Sequence, residues 1–270
     1  MPYFATEDNC RLYYEVRGQG QPVVFIHGWS VNRHFFKKQI PAFAKTYQVV
    51  SYDLRGHGDS DRPETGLYLS RFAKDLHELL DYLAVKKVII VAWSMGVQIV
   101  WDYISQYGCD NIAKLVLIDM TPKVVADAED HWEYTMYPAY TRKAGLAFLN
   151  DIAVDWYAVA EKFAPAIFFR GPAQEEIPWV LDMVKRNTVH VMVNMWLAML
   201  MSDYRDVMEK ITVPCLLTYG TCQSSKMPKT EEWLQAHIKG SEVAAFNGGH
   251  IHFLQDPDHF NDVVLNFLAK

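Results

Sequence analysis

Hydrophobic and polar positions along the chain follow two different periods. Val23-Val24-Phe25-Ile26, Tyr47 to Tyr52, Val88-Ile89-Ile90-Val91, Lys114 to Ile118 and Val213 to Gly220 are short runs, rich in β-branched and apolar groups. Such runs predict strands covered on both faces. Residues 33 to 44 and 70 to 83 instead repeat their apolar groups at helical spacing, as do Val97, Val100, Trp101, Ile104 and Tyr107. Strand and helix in alternation predict a parallel sheet with helices on both faces. At the N-terminus, residues 3 to 6 and 11 to 16 alternate around Glu7-Asp8-Asn9 and predict an antiparallel hairpin. Near the C-terminus a helix at residues 230 to 238, a strand from Glu242 to Phe246 and an amphipathic helix over residues 257 to 269 close the pattern.

The alternation stops between Pro122 and residue 208. Residues 123 to 207 read as several helices dense in large apolar groups, so we expect a helical cap (123–207) inserted in a core formed by residues 1–122 and 208–270. For any one aromatic there, ordinary packing is an adequate explanation; as a set they exceed what a small insertion needs for its own core. Trp132, Tyr137, Trp156 and Trp196, with Trp93 from the core, are the expected pocket residues. Gly171-Pro172 and Pro178 punctuate the insertion.

Charge narrows the partners. With 26 basic and 32 acidic residues and a net charge of −6, the chain carries no basic footprint for nucleic acid and no polybasic membrane patch. The expected partner is a small apolar or aromatic substrate. The N-terminus has neither a basic stretch nor an apolar run, which predicts a cytoplasmic protein. Cys10, Cys109, Cys215 and Cys222 show no ligand spacing and are expected as reduced thiols. No cofactor or metal is called for.

The chemistry centres on Ala92-Trp93-Ser94-Met95-Gly96, which stands between the Val88 strand and a helix. A serine on a strand-to-helix turn needs small residues two before and two after it, here Ala92 and Gly96. A serine also caps helices, but the strand before and the helix after favour a nucleophile. The Met95 amide and the helix N-terminus then face any oxyanion formed at Ser94. A second donor is the Trp29 amide in His27-Gly28-Trp29-Ser30, where Gly28 is expected to let the backbone approach a ligand. His27 itself reads as an anchor for the adjacent loop through its ring nitrogens. The Asp53 to Ser60 loop, with its charges, glycines and His57, reads as a hydrogen-bonded turn structure beside the site.

Ser94 needs a base. His250 follows a strand and the pliable pair Gly248-Gly249; His252 is its competitor, and His259 belongs to the final helix. An acid must orient the imidazole, yet from Ile211 to Thr230 there is no aspartate or glutamate, and Gln223 stands in the loop after the Val213 strand where the acid usually lies. Asp119, after the strand beside the elbow strand, is the nearest alternative, although an aspartate before Thr121-Pro122 also caps turns.

Over essentially its whole length, the chain resembles the α/β-hydrolase fold superfamily. His27-Gly28-Trp29, the Asp53 to Ser60 loop, the Ser94 elbow and Gly248-Gly249-His250 carry the resemblance. Within the superfamily it is most similar to small esterases and cofactor-free haloperoxidase-like hydrolases, whose members include ones with the acid after the sixth strand. Two departures stand out: Ala92 replaces the first glycine of G-x-S-x-G, and Gln223 replaces the common acid. The resemblance implies a serine hydrolase acting on an apolar ester or lactone through Ser94, His250 and Asp119. It leaves two rivals: a cofactor-independent dioxygenase of N-heteroaromatic ketones using the His–Asp pair, and a hydrolase-like receptor that binds without turnover.

Overall fold

The computed structural model describes residues 3–126, 132–136, 140–169, 173–222 and 227–270. Eight strands form one sheet: β1 (Tyr3–Ala5), β2 (Arg11–Arg17), β3 (Pro22–Ile26), β4 (Gln48–Tyr52), β5 (Val88–Trp93), β6 (Ile112–Ile118), β7 (Cys215–Gly220) and β8 (Glu242–Phe246). Their spatial order is β1-β2-β4-β3-β5-β6-β7-β8. The hairpin is antiparallel and β2 joins β4 antiparallel, while every pairing from β4 to β8 is parallel. β5 is buried at all of its positions. That is why its sequence is a continuous apolar run without alternation.

Helices α1 (Ile40–Phe43), α2 (Leu69–Tyr82) and α3 (Met95–Tyr107) follow strands of the first half; α4 (Arg142–Val154), α5 (Trp156–Ala166), α6 (Ile177–Lys185) and α7 (Val189–Met201) lie between β6 and β7. The chain ends with α8 (Met227–His237), α9 (His252–Gln255) and α10 (Pro257–Ala269). Residues 33 to 44, expected as one helix, are two pieces: a 3-10 turn over Arg33–Phe36, capped by the Asn32 side chain on the His34 amide, and α1, which has Pro41 in its first turn. The Arg33 amide is committed to Asp53 Oδ1 at 2.8 Å, which ties this turn to the loop after β4. Of the expected breaks in the insertion, Gly171-Pro172 lie outside the described residues, and Pro178 sits in the first turn of α6, where a missing N–H costs nothing.

Parallel pairing aligns the carboxyl ends of the strands. Ala92 of β5 pairs with Ile26 of β3 and Leu117 of β6, Ile118 with Thr218 of β7, and Gly220 with Phe246 of β8. The segments after β3, β5, β6 and β8 therefore emerge at one edge, where ligand sites of open α/β sheets gather. α5 and α7 close over that edge, bringing Phe163, Trp196 and Met199 opposite Ser94. No helix among the described residues is long and apolar enough to cross a membrane.

Candidate active site

Ser94 occupies a positive-φ conformation, φ 55° and ψ −124°, between the last residue of β5 and the first of α3. Such a backbone costs a non-glycine residue about 1–3 kcal/mol and persists only where its surroundings impose it. Here the Ser94 amide donates to the Ile118 carbonyl at 3.0 Å, so the ladder between β5 and β6 extends into the turn. Asp119 repeats the device one strand over: its φ is 54°, and its amide donates to the Thr218 carbonyl at 2.9 Å. Small residues are a condition of the turn. A Cβ at Gly96 would lie 2.6 Å from the Ile26 carbonyl oxygen, and one at Gly28 would lie 2.7 Å from the Trp93 ring. Gly28 is thus required by the close approach of the Trp93 ring and of Ser94.

His250 Nε2 lies 3.0 Å from Ser94 Oγ. On its other side, His250 Nδ1 is 3.6 Å from Asp119 Oδ2, an ion-pair separation longer than a hydrogen bond. The glycines before His250 do not leave it pliable. The Trp93 indole N–H donates to the His250 carbonyl at 2.7 Å, and the Gly249 amide donates to Gln255 Oε1 at 2.7 Å. Gln255 in turn donates to the Phe168 carbonyl at 3.1 Å, fastening this loop to the segment after α5.

His252 takes the opposite side of the same carboxylate. Its Nδ1 is 3.9 Å from Asp119 Oδ2, its Nε2 is 3.0 Å from Thr218 Oγ1, and its ring stacks on Phe246 with centroids 5.1 Å apart. It is fully buried, and burial holds its pKa down to about 3. A neutral imidazole is therefore retained behind Asp119, remote from solvent. Glu231 of α8 is a further buried acid; burial first, and then the negative charge of Asp119, raises its pKa well above the usual carboxylate value. Nothing in the sequence marks it, because a glutamate at helical spacing ordinarily lies on a solvated face.

A cavity of about 120 Å³ opens at Ser94, with Trp29, Trp93, Asp119, Phe163, Trp196 and His250 in its walls. Trp93 and Trp196, expected in the pocket, are there. Trp156 is not in the wall of this cavity: it packs edge-on behind Trp29, centroids 5.4 Å apart. Trp132 is held elsewhere, its indole N–H donating to the Lys123 carbonyl at 2.7 Å and its ring against Tyr134 and Trp233. Tyr137 and Gln223 lie outside the described residues. Met136, Phe163 and Met199, which belong to the set of large apolar groups in the insertion but not to the expected pocket residues, also line the cavity. Only their place in a helix-rich apolar segment could have pointed to them.

The two other tempting histidines are locked by backbone. His27 Nδ1 donates to the Gly28 carbonyl at 2.8 Å while its Nε2 accepts the Leu54 amide at 3.0 Å. His57 Nδ1 donates to the Arg55 carbonyl at 3.0 Å and its Nε2 accepts the Ser30 amide at 3.3 Å. Burial brings both to a pKa of about 3. Around them Asp53 binds the Arg33 guanidinium and the Asp59 amide, and Arg55 binds Asp75 and Asp8. These contacts join the loops after β3 and β4 into one support beneath Trp29.

A family model described as alpha/beta hydrolase fold matches residues 21–163, more than half of the chain. The non-heme chloroperoxidase of Kitasatospora aureofaciens is 28% identical to it, with all of both chains covered. Among solved structures, an esterase from Exiguobacterium antarcticum superposes with a TM-score of 0.91 at 26% identity, covering 99% of each chain. A bromoperoxidase from Bacillus anthracis reaches 0.89 at 29% identity, covering 97% of this chain and 96% of its own. The parallel sheet, the strained serine after β5 and the matched sequence together show that the chain belongs to the α/β-hydrolase fold family.

Proposed function

We propose that the protein is a serine hydrolase that cleaves apolar carboxylic esters or lactones through an acyl-enzyme. The observation that carries this reading is the line of atoms Ser94 Oγ, His250 Nε2, His250 Nδ1 and Asp119 Oδ2, with separations of 3.0 Å and 3.6 Å at its two ends. Ser94 Oγ attacks the carbonyl carbon as its proton passes to His250 Nε2, and Asp119 balances the imidazolium that results. The tetrahedral oxygen lies against the Trp29 and Met95 amides, the latter at the N-terminus of α3, where the helix dipole favours negative charge. Collapse expels the alcohol, which takes the proton from His250. Water then repeats the sequence on the acyl-Ser94 ester and frees the acid.

The esterase among the similar structures supports the ester reading. The small apolar cavity at Ser94 supports a compact group next to the reacting carbonyl. The test is turnover of p-nitrophenyl acetate with mass spectrometry of the trapped protein. Turnover with an acyl adduct on Ser94, both abolished in Ser94→Ala, is the expected result. Turnover that survives in Ser94→Ala would overturn it, as would oxygen consumption with hydroxyquinolones in place of ester cleavage.

A further inference from the structure

Outside the Ser94 cavity, between α4 and α5, lies a second void of about 640 Å³. Phe163, Ala166 and Trp196 are walls of both. Trp196 is a fixed wall: its indole N–H donates to the Gly145 carbonyl at 3.2 Å, and its ring meets Phe148 at 4.7 Å and Trp29 at 5.2 Å. Phe163 is half-buried and rests edge-on against Trp29, centroids 5.2 Å apart. Next to Ala166, Pro165 lies inside α5 and deprives that last turn of a backbone donor. The two voids thus adjoin through residues of α5 and α7.

The volumes indicate what the pair can hold. A binding site for a whole organic ligand occupies about 300–1,000 Å³, which the cavity at Ser94 does not reach. The outer cleft does, and its surface is mainly apolar, with Tyr140, Phe148 and Val159 in its walls. Its charged groups are Asp151, Asp155 and Lys162. Two carboxylates against one ammonium favour a neutral chain over an anionic one.

We propose that the α4–α5 cleft is a second binding subsite, taking the distal apolar part of an elongated neutral ester whose carbonyl lies at Ser94 and whose chain passes Phe163, Ala166 and Trp196. The turnover arm of its test rests on the ester-hydrolase reading; the binding arm does not.

Methyl acetate, octyl acetate and methyl octanoate differ in chain length with little change in carbonyl chemistry. For one of the two longer esters, kcat/KM should exceed that of methyl acetate by about tenfold or more, the scale expected when several methylenes are buried. Ala158→Trp and Asn150→Trp fill the cleft from α5 and α4 respectively, and each should remove most of that gain. No gain with length, or a gain that both folded variants retain, would overturn the proposal. Monomethyl suberate, with a carboxylate at the far end, should be a poorer substrate than methyl octanoate; equal rates would overturn the preference for a neutral chain. Calorimetric binding of 1-octanol requires no turnover. Both variants should bind it about tenfold more weakly than the unaltered chain, and equal affinities would exclude the cleft even if Ser94 formed no acyl adduct.

Discussion

Two pairs of histidines lie at the carboxyl edge of the sheet, and they differ in what their ring nitrogens meet. His27 and His57 have backbone partners on both nitrogens, so each is a fixed, neutral tie between loops. His250 meets a hydroxyl on one side and a carboxylate on the other, and its side chain keeps 19% of its surface exposed. His252 is intermediate, with a threonine hydroxyl and the same carboxylate but no exposure. Exposure singles out His250 but does not separate His252 from His27 and His57, all three being fully buried. What distinguishes them is whether the partners can exchange a proton, and backbone amides and carbonyls cannot.

The sharpest way to break this comparison is Ser94→Ala, expected to lower kcat/KM on the order of 10⁴-fold or more, as loss of a triad nucleophile does. Asp119→Asn should follow, with a loss on the order of 10³–10⁴-fold, because the amide neither balances the imidazolium nor holds the same tautomer. Steady-state kinetics on a matched ester checks both. If Asp119→Asn kept most of its turnover, the His250–Asp119 contact would be structural, like those of His27 and His57.

His57→Gln tests the other side. It should cost about 1–3 kcal/mol of stability through disturbed buried hydrogen bonds, with turnover of the folded protein retained. Its pH dependence has a definite sign. The folded pKa of about 3 lies below the ordinary value of 6.5, so between these values the unfolded chain binds the extra proton and stability falls as pH falls. The variant lacks that proton uptake. Its acid slope, from urea midpoints between pH 6.5 and 3, should be flatter by up to about 1.4 kcal/mol per pH unit. An unchanged slope would mean that His57 is not held neutral.

Glu231→Gln gives an effect of opposite sign. A carboxyl whose folded pKa is raised contributes stability below its unfolded value and loses it as pH rises. The amide substitution removes the burden of the buried carboxyl at high pH. Urea midpoints should therefore rise at about pH 8 and stay unchanged at about pH 4; a fall at the higher pH would show an ionised Glu231 with a stabilising partner.

Much of the carboxyl edge of the sheet, and of the candidate site on it, is legible in the sequence. Short β-branched runs located β3, β5 and β6, because a strand buried on both faces tolerates little else. Ser94 stood out because a strand-to-helix turn imposes steric limits on residues within two positions, and Ala92 and Gly96 meet them. Asp119 emerged from the absence of acids between Ile211 and Thr230, combined with the adjacency of β5 and β6.

The packed structure alone decided the rest. The sequence favours His250 over His252 as the partner of Ser94, but only the packed structure puts His252 behind Asp119, with Thr218 on its other ring nitrogen. The helices between β6 and β7 carry apolar groups on more than one face, so periodicity cannot assign a ring to the cavity or to a neighbouring helix. Trp196 went to the cavity, Trp156 behind Trp29, and Trp132 to Trp233. Strand ends and tight turns are governed by local sterics, which a sequence displays. Side-chain neighbours across helices come from contacts between residues far apart in the chain, and these exist only once it has folded.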